Sequence, residues 1–79
     1  MRLDKYLKVS RLIKRRTVAN EACDAGRVLI NDRPAKASAQ VKEGDVLEIQ
    51  FGRKAVRVEV LNVQENVKKD DAKDLYRYL

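Results

Sequence analysis

Seven cationic side chains crowd the first sixteen positions of the chain: Arg2, Lys5, Lys8, Arg11, Lys14, Arg15 and Arg16. Guanidinium and ammonium groups at three- and four-residue spacing make a stripe suited to a polyanion, because each can hold a phosphate through charge-assisted hydrogen bonds. One acid, Asp4, stands among them, so residues 1 to 20 carry +6, while the rest of the chain holds eleven basic and eleven acidic side chains. A surface built for solubility alone would intersperse both signs throughout. The N-terminal quarter is therefore the expected anion-binding face. Asp4 reads as a salt-bridge partner that orients a basic neighbour and not as a catalytic acid. Further along, Arg33 and Lys36 flank a turn, where they either extend the phosphate contact or guard an edge strand.

Other chemistry is narrowed by what the chain lacks. It has no His, which removes imidazole bases, Ser-His or Cys-His nucleophile pairs and His metal ligands; with a single Cys, a structural zinc site is also excluded. Cys23 has no disulfide partner and reads as a small buried hydrophobe. With three glycines there is no Gly-rich phosphate loop, and no apolar run approaches the ~20 residues of a membrane span. A membrane-surface helix would need bulky apolar anchors, but Leu3, Leu7 and Ile13 are required for the core. The opening Met1-Arg2-Leu3-Asp4-Lys5 is no signal segment, so a cytoplasmic address is expected. At 79 residues, folding buries only about 60–65% of the unfolded surface, enough for one small domain without a deep cleft. No catalytic residues, cofactor or metal are expected.

Two helices must carry the basic stripe. Leu3, Tyr6 and Leu7 recur at helical spacing with Ile13 further on, and if that helix continues, Lys8, Arg11 and Arg15 share one face with Lys5 beside it. Tyr6 fits the core at this spacing, with base stacking as the alternative. A second helix is expected from Arg16 to Ala25, with Val18, Ala19, Ala22 and Cys23 inward and Gly26 as its stop. The period then changes. Arg27 to Ile30 is a short strand, Asn31-Asp32-Arg33-Pro34 a turn and Gly44-Asp45 another, while Val46–Phe51 and Ala55–Val63 alternate as two strands of a hairpin. Residues 1–63 then form the binding domain, and 64–79 a charged tail in which Ala72, Leu75, Tyr76 and Leu79 have the spacing of a short amphipathic helix. The fold class is α+β: two packed helices on a small, mainly antiparallel sheet.

In combination these features resemble a known family. Arg2-Leu3-Asp4-Lys5-Tyr6-Leu7, Lys14-Arg15-Arg16-Thr17-Val18-Ala19, Gly26-Arg27-Val28, Asn31 and Val41-Lys42-Glu43-Gly44-Asp45 are similar to the S4-type RNA-binding domain, over roughly residues 2 to 50. Among free-standing members, Val9 to Thr17 with Lys36-Ala37-Ser38 resemble most the RqcP group of ribosome-associated quality-control factors, and also the fifteen-kilodalton heat-shock proteins. The resemblance implies binding to ribosomal RNA and peptidyl-tRNA on an obstructed large ribosomal subunit, while an alanyl-tRNA-recruiting partner elongates a C-terminal alanine tail. It puts the family's helix-two arginine at Arg16 and its N-terminal arginine at Arg2. The basic positions of the first helix and its loop fall on Lys5, Lys8, Arg11, Lys14 and Arg15. Two positions depart from the family pattern: Arg15 stands where a Ser or Thr could cap the helix, and Asn31-Asp32 where Asn-Gly is common. The alternatives are a heat-shock-type factor that recycles stalled subunits without tailing, and a protein-interaction module with an acidic partner. Nothing demands more than a monomer.

Overall fold

The computed structural model describes all 79 residues. Two α-helices, α1 (Leu3–Val9) and α2 (Arg16–Asp24), precede β1 (Val28–Ile30), β2 (Arg33–Pro34), β3 (Val46–Phe51) and β4 (Lys54–Val60). A 3-10 helix at Lys69–Leu75 leads into β5 (Tyr76–Tyr78). The five strands form one wholly antiparallel sheet in the order β2-β1-β3-β4-β5. The Cα radius of gyration is 11.0 Å, and no helix is long and apolar enough to cross a membrane.

The core lies between the helices and one face of the sheet. Leu3, Tyr6 and Leu7 of α1 and Ala19 and Cys23 of α2 meet Val28, Leu47, Ile49, Val58 and Val60, all buried. Strand alternation supplies the sheet side, with Ile30, Leu47 and Val58 level across β1, β3 and β4. The outer face carries charge pairs such as Arg77–Glu59 at 2.6 Å.

Turn chemistry sets the register. Asn31 and Asp32 both have positive φ, 51° and 68°, the sign pattern of a type I′ turn, whose twist matches a two-residue hairpin. Arg33 and Pro34, expected in the turn, instead make β2, where Pro34 is tolerated because the strand is at the sheet edge. The Asn31 side chain accepts from the Val46 N–H at 2.9 Å and donates to Asp45 at 3.2 Å, tying that turn to the Gly44-Asp45 turn. Buried Asp45 also accepts the Lys42 N–H at 3.0 Å.

Three expectations need correction. The first helix stops at Val9: Arg11 adopts φ 63°, and the Ile13 N–H turns back to the Leu7 carbonyl at 3.1 Å, folding Ile13 into the core from a loop. Lys8, Arg11 and Arg15 therefore do not share a helical face. Val18 is exposed, because Ala19 and Cys23, one turn apart, set the buried stripe of α2. The last residues are not helical to Leu79: after the 3-10 segment, Tyr76–Tyr78 pairs with β4.

Candidate nucleic-acid interface

The candidate interface centres on Asp4, in the first turn of α1 and only 2% exposed. Its Oδ1 accepts from Arg2 Nε at 3.2 Å and from the Lys5 N–H at 2.8 Å. Its Oδ2 accepts from Asn20 Nδ2 at 3.2 Å and from Arg2 Nη2 at 3.4 Å, and lies 3.4 Å from Arg16 Nε. One carboxylate thus joins the residue before α1 to the first residue of α2 and leaves the two arginine side chains about half exposed, 47% for Arg2 and 46% for Arg16. Burial pushes the Asp4 carboxyl up, but hydrogen bonds from Asn20, Arg16 and the Lys5 N–H outweigh it, so the group lies below its ordinary value and stays charged.

That geometry makes Arg2 and Arg16 a fixed pair of cations rather than two freely moving side chains. A guanidinium that engages a carboxylate through Nε still has other N–H groups to offer a phosphate. Asp4 and Arg16, with Thr17, Asn20 and Glu21, line an open polar notch of about 370 Å³. Arg15, at the residue before α2, makes no side-chain cap, and no acid lies in the first turn of that helix. Its positive end therefore adds to the cationic field of Arg15 and Arg16.

The remaining cations divide into separate groups. Lys8, Arg11 and Lys14 line a second depression of about 500 Å³ together with Glu65, Asn66 and Lys68 and two aliphatic residues, Val9 and Val67. Lys5 lies beside this wall, 3.6 Å from Glu65. Exposed Lys36 precedes Ala37, whose N–H donates to Asp24 and whose carbonyl accepts the Asp4 N–H, so it stands beside the Asp4 cluster. Arg33 lies on edge strand β2, and no hydrogen bond or ion pair links it to the helical cations. Tyr6 is core: it is buried, and its hydroxyl donates to the Leu75 carbonyl at 2.7 Å. Burial raises its pKa.

Sequence reasoning missed Asn20 and the wall formed by residues 65–68. A polar residue one helical turn after Arg16 was a usable signal for Asn20. The wall had none, since it comes near Lys8 and Lys14 only through tertiary folding.

The S4 domain family model matches residues 1–47. An RQC P-site tRNA stabilizing factor of Halalkalibacterium halodurans is 60% identical over 76 residues, 96% of this chain and 86% of that protein. The Bacillus subtilis factor of the same name is 54% identical over 79 residues, all of this chain and 92% of that one. A trimeric structure of Vibrio cholerae heat shock protein 15 superposes with a TM-score of 0.92 at 28% identity, covering 100% of this chain and 81% of the other. The expected S4-type α+β fold is thus found in both sequence and architecture. The chain belongs to the S4-domain family of RNA-binding proteins, with the RQC P-site tRNA stabilizing factors as its relatives over nearly its whole length.

Proposed function

We propose that this chain binds ribosomal RNA and peptidyl-tRNA on obstructed large ribosomal subunits and supports alanine tailing of the stalled nascent chain. The observation that carries this reading is the Asp4 platform, a buried carboxylate that pairs with both Arg2 and Arg16, which in this reading act as a phosphate clamp. Identity of 60% and 54%, over nearly the whole chain, to proteins named for stabilizing P-site tRNA supports it. The clamp reads shape and backbone, because the major groove of A-form RNA is too deep and narrow for side chains. In this reading the protein is a binding factor, not an enzyme. It acts as a cytoplasmic monomer, holding the tRNA while an alanyl-tRNA-recruiting partner adds residues. Arg2, Lys5, Lys8, Arg11, Lys14, Arg15 and Arg16 carry the contact, with Lys36 beside the platform and Arg33 as an outlying cation.

The test is gradient sedimentation of tagged wild type and Arg16→Ala from cells, with alanine tails measured in parallel. The expected result is wild type in the large-subunit peak with tRNA, a folded mutant at the top and shorter tails. Unchanged tails would count against the reading. The likeness to heat shock protein 15 favours a second one, in which the same clamp recycles stalled subunits without a tailing partner. A pulldown that recovers large subunits and tRNA but never an alanine-recruiting protein would select it.

A further inference from the structure

The depression between the α1–α2 loop and residues 65–68 differs in kind from the Asp4 platform. Lys8, Arg11, Lys14 and Lys68 set four cations against the one carboxylate of Glu65. Two aliphatic side chains, Val9 and Val67, both partly buried against the core, share this lining. Asn66 stands at the wall and can both donate and accept hydrogen bonds. A volume of about 500 Å³ falls within the roughly 300–1,000 Å³ of sites that enclose a small ligand.

The wall is held in place from several directions. Val63 and Val67 pack on the core, and Lys5 lies 3.6 Å from Glu65. The Leu75 carbonyl accepts from the Tyr6 hydroxyl and from the Leu61 and Asn62 N–H groups, anchoring the segment on both sides. On the opposite side, Arg11 keeps a left-handed backbone, φ 63°, sparsely populated by residues other than Gly and Asn or Asp. A duplex backbone presents charge but no apolar face, so it would leave Val9 and Val67 uncovered. An unpaired nucleotide presents both, a phosphate for the cations and a flat base for the valines, with a polar edge for Asn66 and a π-face for the Arg11 guanidinium.

We propose that this depression binds a single unpaired nucleotide of the RNA, gripped by phosphate and base together, with Asn66 reading the base edge. The inference rests on the RNA-binding reading above and adds the 65–68 wall to it. Its test is affinity for three hairpins of identical stem: one with a single unpaired adenosine, one with an abasic residue at that position and one fully paired. Wild type is expected to bind the adenosine hairpin roughly tenfold tighter than the other two. Asn66→Ala, at an exposed position, should reduce that difference without changing affinity for the abasic hairpin, the base keeping its contacts with Val9, Val67 and Arg11. Arg16→Ala should weaken all three alike. Equal wild-type affinity for the adenosine and abasic hairpins overturns the inference and leaves the phosphate clamp standing. Discrimination that Asn66→Ala leaves undiminished refutes its placement in this depression. Binding to none of the three overturns the RNA-binding reading itself.

Discussion

Asp4→Asn removes the one acid of the first twenty residues and takes the net charge from +6 to +7, so charge counting expects tighter RNA binding. At about 6 Å in water one lost repulsion is worth about 0.7 kcal/mol per phosphate, roughly threefold in affinity. The structure reverses the sign. Both carboxylate oxygens accept: Oδ1 from Arg2 and the Lys5 N–H, Oδ2 from Asn20 with Arg16 beside it. An amide supplies one oxygen and one NH2, so in either orientation a donor faces donors. With the oxygen kept on the Lys5 N–H, Arg16 is released. Arg2 also loses its contact to Oδ2, and ordering the two loosened side chains again on phosphates costs about 0.5–1.5 kcal/mol each, about 1–3 kcal/mol together. Set against the Coulomb gain, the net is about 0.3–2.3 kcal/mol, or roughly two- to fortyfold weaker binding. The log-log salt slope, roughly −3 to −5 if about five phosphates are held, should become shallower by nearly one. Fluorescence anisotropy with a labelled hairpin RNA across a salt series measures both, with circular dichroism to verify folding. Arg16→Ala on top of Asp4→Asn should cost little more, the signature of residues acting as one unit. Equal or tighter binding by folded Asp4→Asn, with an unchanged slope, would refute the platform.

The same carboxylate predicts an acid dependence. Its folded pKa lies below the ordinary value of 3.8, so the stability it contributes is fully present above 3.8 and is lost as pH falls through the lowered value; the gap in urea midpoint between wild type and Asp4→Asn should be constant at higher pH and shrink below it. Tyr6→Phe removes the hydroxyl bonded to the Leu75 carbonyl, but that oxygen keeps two N–H donors, so the loss is about 1 kcal/mol, read as a lower urea midpoint. Cys23 is buried, and burial with the nearby charges of Asp4 and Asp24 pushes its thiol up to about 11; iodoacetamide at pH 8 should label it only after unfolding, by mass spectrometry. Asp32→Gly should stabilise by about 1 kcal/mol in thermal unfolding, because φ 68° suits Gly and the Asp32–Arg57 pair it removes is exposed.

What the sequence could reveal depended on how local the deciding force was. Gly26, at φ 79°, ends the second helix as read, and the β3–β4 hairpin follows its alternation, because a one-residue slip would turn Leu47, Ile49 and Val58 out of the core. The N-terminal cations were legible as a charge excess, and Asp4 as the partner of Arg2, two residues away; its pairing with Arg16 was not, because it depends on how α2 packs against α1. The exit from α1 was not. Between Val9 and Ile13 no Gly or Pro marks a break, and the break is forced by Ile13 reaching the core from a loop whose strain falls on Arg11. The tail was ambiguous for the opposite reason, since Ala72, Leu75, Tyr76 and Leu79 fit a helix while Tyr76-Arg77-Tyr78 also alternates as a strand. Tertiary contact decides it. Tyr6 captures the Leu75 carbonyl and β4 offers an open edge, so the chain leaves the 3-10 turn extended and pairs Tyr76 with Val60 and Tyr78 with Val58. The capture that closes the sheet also helps fix residues 65–68 against α1. A core tyrosine at position 6 thereby bears on whether the cations of α1 and its loop face an open surface or a walled depression.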